Sequence, residues 1–314
     1  MLWGPLSRPL TADGSTERPH VSSVLGGDSV SDGSPESKAD SNVDSGSEQI
    51  PEGSIVTEQT PTPEVLESLI DSGLHEIYRE TTGLVLSGFS AGLDIGFGPL
   101  LMAVMLTLST GGYGDLQTEL LLASAYSVGF IFVIIGRSEL FTEHTTVAVM
   151  PVLDGRASVR GLGRLWGLVY ASNVVGSAVF TVLVVTLMPN LGVASPAAFV
   201  TIAHKLVDHG LGWLFVAGIF AGWLMGLLAW LVTAAQETLS RVLIVWMVTA
   251  SIGILHLPHS IVGNVEVLFG LALSPSVTLA DYVAFLALST LGNAVGGGVF
   301  VGLLKYSHVV RGAG

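Results

Sequence analysis

Hydrophobic and polar positions divide this chain at about residue 81. Residues 1–62 are mostly Ser, Gly, Asp, Glu and Pro, as in Ser31-Asp32-Gly33-Ser34-Pro35-Glu36. Such a stretch cannot bury enough apolar surface to offset its ordering entropy, so a disordered acidic tail is expected. Over 63–80 the pattern changes: Val65, Leu66, Leu69, Ile70, Leu74 and Ile77 recur at helical spacing with acids between them. That period predicts an amphipathic helix at a membrane surface or against a bundle; the plainer reading is a packing helix without a function of its own. After Thr81 the chain is apolar in long blocks, 84–109, 121–153, 162–188, 211–235, 241–273 and 281–305. Each reaches the roughly 20 residues a helix needs to cross a bilayer, so a pore domain of six transmembrane helices is expected over 81–308.

Two of the blocks are too long for one straight helix, and each is interrupted by polar residues near its centre. The second contains Gly136-Arg137-Ser138-Glu139-Leu140-Phe141-Thr142-Glu143-His144. The fifth contains His256-Leu257-Pro258-His259-Ser260, then Asn264 and Glu266. Helices 2 and 5 are therefore expected to be broken. The frame Ser172-Asn173-Val174-Val175-Gly176 returns as Gly292-Asn293-Ala294-Val295-Gly296, and the histidines 144 and 259 show a similar offset. Each half then reads as helix, broken helix, helix. Three spans per half is an odd number, which makes the halves inverted repeats, an arrangement that puts a solute site near the bilayer midplane. Small residues such as Gly176 and Gly296–Gly298 let backbones approach closely, although such faces also recur by chance in polytopic proteins.

Composition sharpens this picture. Half of the residues are hydrophobic and 12% are charged, about half the charge of a soluble domain. The formal charge of −13 resides mainly in residues 1–80, leaving the apolar region near neutral. Arg156, Arg160, Arg164, Arg241, Lys305 and Arg311 all fall on the side that carries the N-terminus. The positive-inside rule then places both termini in the cytoplasm of a multi-pass plasma-membrane protein. No cysteine is present, which excludes disulfides, thiolate metal sites and a cysteine nucleophile. There is no phosphate-binding loop of the Gly-rich Lys-Ser/Thr type and no convincing metal spacing. An enzyme is not expected, nor are cofactors or nucleic-acid partners; the partners expected are the lipid bilayer and a small solute.

Polar groups at membrane depth face a cavity or the bundle interior. The two breaks are thus expected to line a water-accessible path, with the Thr142 and Ser260 hydroxyls and the N–H groups of the half-helix starts offered to an anion. His259 titrates near neutrality and can lend a proton or charge to a weak-acid anion in transit; the competing reading is a neutral imidazole bonded to backbone at the break. His144 and His256 read as structural, and Glu139 and Arg137 as a pair or cap at the break. Lys205 can draw anions into an outer vestibule, or snorkel into solvent. Asp94, alone in the first block, is expected to pair with a donor on a neighbouring helix.

Residues 81–308 resemble the formate/nitrite transporter family. The resemblance rests on Glu139-Leu140-Phe141-Thr142, the Asn173 face, the Lys205 region, His259-Ser260 and Leu291-Gly292-Asn293 taken in order. It implies an aquaporin-like protomer and a homopentamer with one pore in each protomer. It further implies that Leu140, Phe141 and Thr142 form the loop at the pore centre, with His259 as the central histidine and Asn293 near it. Tyr126 would be the aromatic at a constriction, Ile252 its apolar counterpart, and Lys205 the anion-attracting lysine. The chain departs from the usual pattern at Pro258, where an acid is expected, at Asn264, displaced by one residue, and at Gly222, where an asparagine is usual. These departures point to a divergent branch. The expected function is a channel or proton-coupled transporter for small monovalent anions such as formate or nitrite. A pore for water or neutral solutes and a non-transporting scaffold are the alternatives.

Overall fold

The computed structural model describes residues 60–109 and 114–312. The acidic segment lies outside the described residues except for Thr60, Pro61 and Thr62. All the regular structure described is helical. In chain order it comprises α1 (Thr62–Tyr78), α2 (Thr81–Asp94), α3 (Phe97–Leu108), α4 (Asp115–Gly136), α5 (Phe141–Val147), α6 (Met150–Leu153) and α7 (Val159–Asn190). There follow α8 (Pro196–Val207), α9 (Leu211–Ala234), α10 (Thr238–Ile254), α11 (Ser260–Leu273) and α12 (Leu279–Val295), then a π-helical turn (Gly296–Leu303) that runs into α13 (Leu304–Gly312). Five helical stretches are long and apolar enough to cross a membrane: Thr81–Leu108, Asp115–Gly136, Val159–Asn190, Leu211–Ala234 and Leu279–Gly312. The block expected at 241–273 is divided between α10 and α11, each shorter than a full span.

Two helix crossings hold the bundle together, and they are built alike. Where α2 crosses α7, a Cβ at Gly92 would lie 2.3 Å from the Asn173 carbonyl oxygen, and one at Gly176 2.2 Å from that of Phe89. Where α9 crosses α12, a Cβ at Gly222 would lie 2.2 Å from the Asn293 oxygen, and one at Gly296 2.0 Å from that of Ile219. Only glycine permits backbones this close. The Asn-x-x-Gly frame of the sequence is thus the signature of both crossings.

The first apolar block carries a two-residue turn at Ile95-Gly96, where the backbone keeps right-handed helical angles, and Pro99, which has no N–H, lies just beyond. A Cβ at Gly98 would sit 2.5 Å from the Tyr126 carbonyl oxygen, so α3 lies directly against α4 at the residue that will matter below. Asp94 does not reach a neighbouring helix: Ser90, one turn earlier in α2, donates its hydroxyl to Asp94 at 3.1 Å.

Helix α1 packs on one end of the bundle. Val65, Leu66, Leu69 and Ile70 are buried against Val147, Met150, Trp230 and Val309. Arg164 of α7 donates to the carbonyls of Ile77 and Arg79, both at 3.2 Å, and to the Thr81 hydroxyl at 2.7 Å, closing the end of α1. Arg156 pairs with Glu67 at 2.6 Å. We call this end of the bundle the α1 face and the opposite end the far face.

Candidate pore site

Helices α4 and α10 end in the same way. Arg137 and His256 both adopt left-handed backbone conformations, with φ of 57° and 46°. Ser138 then donates its N–H to the Val133 carbonyl at 3.0 Å, and Leu257 to that of Ile252 at 3.1 Å. These are six-to-one closures of the helix C-terminus. The chain continues extended through Leu140 and His259, the residues preceding α5 and α11. The two breaks correspond at an offset of 119 (256 − 137), which matches Leu140, not His144, with His259.

One asparagine anchors each restart. The Asn173 side chain accepts the Phe141 N–H at 2.9 Å and donates to the carbonyls of Gly88 at 2.7 Å and Glu139 at 2.8 Å. Asn293 accepts the Ser260 N–H at 2.8 Å and donates to the carbonyls of Gly218 at 2.9 Å and Pro258 at 3.0 Å. Both asparagines are fully buried. They consume the first N–H of each half-helix, so those two groups are not offered to a solute as the sequence had suggested.

The restarts meet at a single side-chain contact, between Thr142 Oγ1 and His259 Nε2 at 2.7 Å, with both residues buried. The Val262 N–H donates to His259 Nδ1 at 3.2 Å. That bond occupies the Nδ1 lone pair, so the ring proton of the neutral imidazole sits on Nε2 and is donated to Thr142. The Thr142 hydroxyl hydrogen is then free to serve another acceptor. Beside them, the Ser260 hydroxyl is buried without a partner among the described residues. The His259 ring stands edge-on to Phe130, 5.0 Å between centroids, and Phe130 touches Tyr126 in turn at 5.2 Å.

Two cavities border the breaks, one at Arg137–Glu139 and one at His256–Leu257, and neither is lined by Thr142 or His259 themselves. A broad one of about 720 Å³ opens on the α1 face and is lined by Glu76, Arg137, Glu139, Glu143, His144 and Arg241, among others. On the far face a pocket of only about 20 Å³ lies between Tyr126, Lys205, Ile252, His256 and Glu266, room for about one water. The structure therefore brings Thr142, His259, Ser260 and Asn293 together at the centre, and Tyr126, Ile252 and Lys205 together at the far mouth. Leu140 is buried at the position that corresponds to His259. The Phe141 ring turns toward Trp166 and Tyr170, at 5.9 and 5.0 Å.

Glu139 and Lys205 have partners other than those expected. Glu139 pairs with Arg79 at 2.6 Å and with His144, and not with Arg137, which is exposed. The reason is the left-handed turn, which places Arg137 outward. Lys205 bonds Glu119 at 2.6 Å, and the other Glu119 oxygen lies 3.5 Å from His256. Helix α8, which carries Lys205, falls between the apolar blocks, although Ser195-Pro196 is a helix-start signal. The Ser195 hydroxyl accepts the Ala198 N–H at 3.2 Å. Among the described residues no group of His, Asp and Glu is arranged to hold a metal ion.

Five apolar helical stretches around paired helix restarts, joined at a buried hydroxyl–imidazole contact, fit a multi-pass membrane protein of the transporter and channel class. The chain belongs to the formate/nitrite transporter family, whose profile matches residues 63–307. It is 30% identical to the inner membrane protein YfdC of Escherichia coli over 78% of this chain and 77% of that one. It is 28% identical to a probable formate transporter of Methanothermobacter thermautotrophicus, over 71% and 87% of the two chains. A solved pentameric formate channel with formate bound superimposes with a TM-score of 0.64 at 24% identity, over 73% of this chain and 98% of that one. The family is one of membrane transporters and channels, not of enzymes.

Proposed function

We propose that the chain forms a pore for small monovalent anions of the size of formate or nitrite. The Thr142–His259 contact, which joins the two breaks that the cavities border, carries the reading. A hydroxyl with a free hydrogen, an orphaned serine hydroxyl and an imidazole N–H together make a donor-rich, water-poor point at which a compact anion can exchange hydration for hydrogen bonds. In this reading α2–α3, α4–α6, α7, α9, α10–α11 and α12–α13 cross the membrane as six spans in two inverted halves, with the second and fifth broken. Tyr126 and Ile252 constrict the far mouth, Leu140 and Phe141 shape the loop that carries Thr142, and Asn293 holds Ser260 in place. The Arg-rich α1 face is cytoplasmic by the positive-inside rule, in the plasma membrane. Five such protomers assemble as in the formate channel whose fold this chain shares, with both termini on the cytoplasmic side.

Purified protein in vesicles tests this. Formate or nitrite should produce an anion-selective current, and His259→Phe or Thr142→Val should lower it by about tenfold or more, the equivalent of one lost charge-assisted hydrogen bond. Passage of water or small neutral solutes without any anion current in the wild-type protein would overturn the reading.

A further inference from the structure

The far cavity holds an acid that the pore chemistry described so far leaves unused. Glu266 lies on α11, is 5% exposed, and enters no hydrogen bond or ion pair among the described residues. It lines the same cavity as Tyr126, Ile252, Lys205 and His256. A carboxylate enclosed in this way without a partner is costly to keep in a membrane protein, and such groups mark solute or proton paths.

The charges around it do not favour an anion. Lys205 is the cation of this mouth, and its ammonium is already bonded to Glu119. With both acids ionised, two carboxylates face one lysine, and a monovalent anion entering between Tyr126 and Ile252 meets net negative charge at short range. Nothing else packed on α11 offsets this. Helix α3 carries no titratable side chain. On α8, His204 turns to Asp208 and Ser276. On α12, Tyr282 donates to Asn264 and Asp281 holds the helix start at Thr278. On α7, Tyr170 bonds Thr290. On α5, Glu143 and His144 border the opposite cavity. Of the histidines at this end, His256 turns its Nε2 toward Glu119, and His209 borders a neighbouring cavity with it.

We propose that Glu266 is the specificity-determining residue of the far mouth, admitting anions only when it carries a proton. This rests on the anion-pore reading above. The proton comes from water in the vestibule and stays on Glu266; it is not transferred to the solute. One protonation removes the excess negative charge, leaves Lys205 balanced by Glu119 alone, and replaces a repelling oxygen with an O–H that can donate to the anion. Anion passage from the far side should then rise as the pH on that side falls, and the slope should belong to Glu266.

The test is formate flux through full-length protein in oriented vesicles, at acidic and neutral pH on the far side. Wild type should be faster at acidic pH. Glu266→Gln should raise the neutral-pH flux by about tenfold, as expected for removal of one unit charge at a confined mouth, and should flatten the pH profile. Glu266→Asp, which keeps the charge, should keep the slope, so that failure of the Gln variant to fold still leaves a reading. An Asp variant without the slope, or a Gln variant with the wild-type profile, overturns the proposal while the anion pore stands. Absence of formate or nitrite current in the wild type overturns both.

Discussion

At the residue scale the decisive groups are Asn173 and Asn293. Each satisfies three backbone groups at a place where the helix ladder has been abandoned. Water is scarce at that depth, so loss of the amide leaves those groups unpaired. Asn173→Ala and Asn293→Ala should each cost roughly 3 kcal/mol or more, read as a lowered melting temperature in detergent. Mutating the exposed Asn190 should change little by comparison. Both asparagines were legible in the sequence because they recur in one frame with a glycine. The outward setting of Arg137 and the Glu119 partner of Lys205 were not. Arg137 is turned outward by a left-handed backbone, and the Lys205–Glu119 pair joins residues 86 apart in the chain. Local pattern carries neither fact.

At the element scale the chain shows where hydropathy stops being informative. Apolar runs located the long helices, with ends off by up to seven residues, as at Gly312 against an expected 305. They did not reveal the short turn at Ile95-Gly96 between α2 and α3, because the residues flanking it are as apolar as those of an unbroken span; Gly96-Phe97-Gly98-Pro99 was the available signal. Nor did they reveal the π-helical turn, in which the Gly297 carbonyl leaves the usual ladder and accepts the Thr146 hydroxyl at 2.9 Å. The histidine offset of 115 misaligned the halves, since His144 is engaged by Glu139 on the α1 side and has no counterpart across the repeat. The crossings give the prediction at this scale. Gly92→Ala and Gly222→Ala place a methyl carbon within 2.3 and 2.2 Å of a backbone carbonyl oxygen that cannot yield. Each should destabilise by roughly 3 kcal/mol, with equal effect in the two halves. Gly163→Ala, with open space around it, should be tolerated, and thermal unfolding of the three variants side by side checks the contrast.

At the scale of the whole molecule, α1 is coupled to the bundle through charge. Burial, and then repulsion from Glu139, push the Glu76 carboxyl above its ordinary range, against the pull of Arg79. The folded state therefore holds this proton more tightly than the unfolded chain does. That contribution is present in full at low pH and is lost as pH rises through the carboxylate range toward the raised value. Glu76→Gln should remove it, so the melting temperature of the variant should gain on that of wild type as pH increases. A constant difference would refute the assignment. The same scale exposes what the matched breaks entail. Their scaffolding is duplicated down to the individual hydrogen bond, yet the position that is an imidazole in one half is a leucine in the other. On the anion-pore proposal, an ion arriving from one side should come upon a greasy shoulder, and from the other a polar ring. With equal concentrations and reversed voltage, the two currents should differ: the channel should rectify.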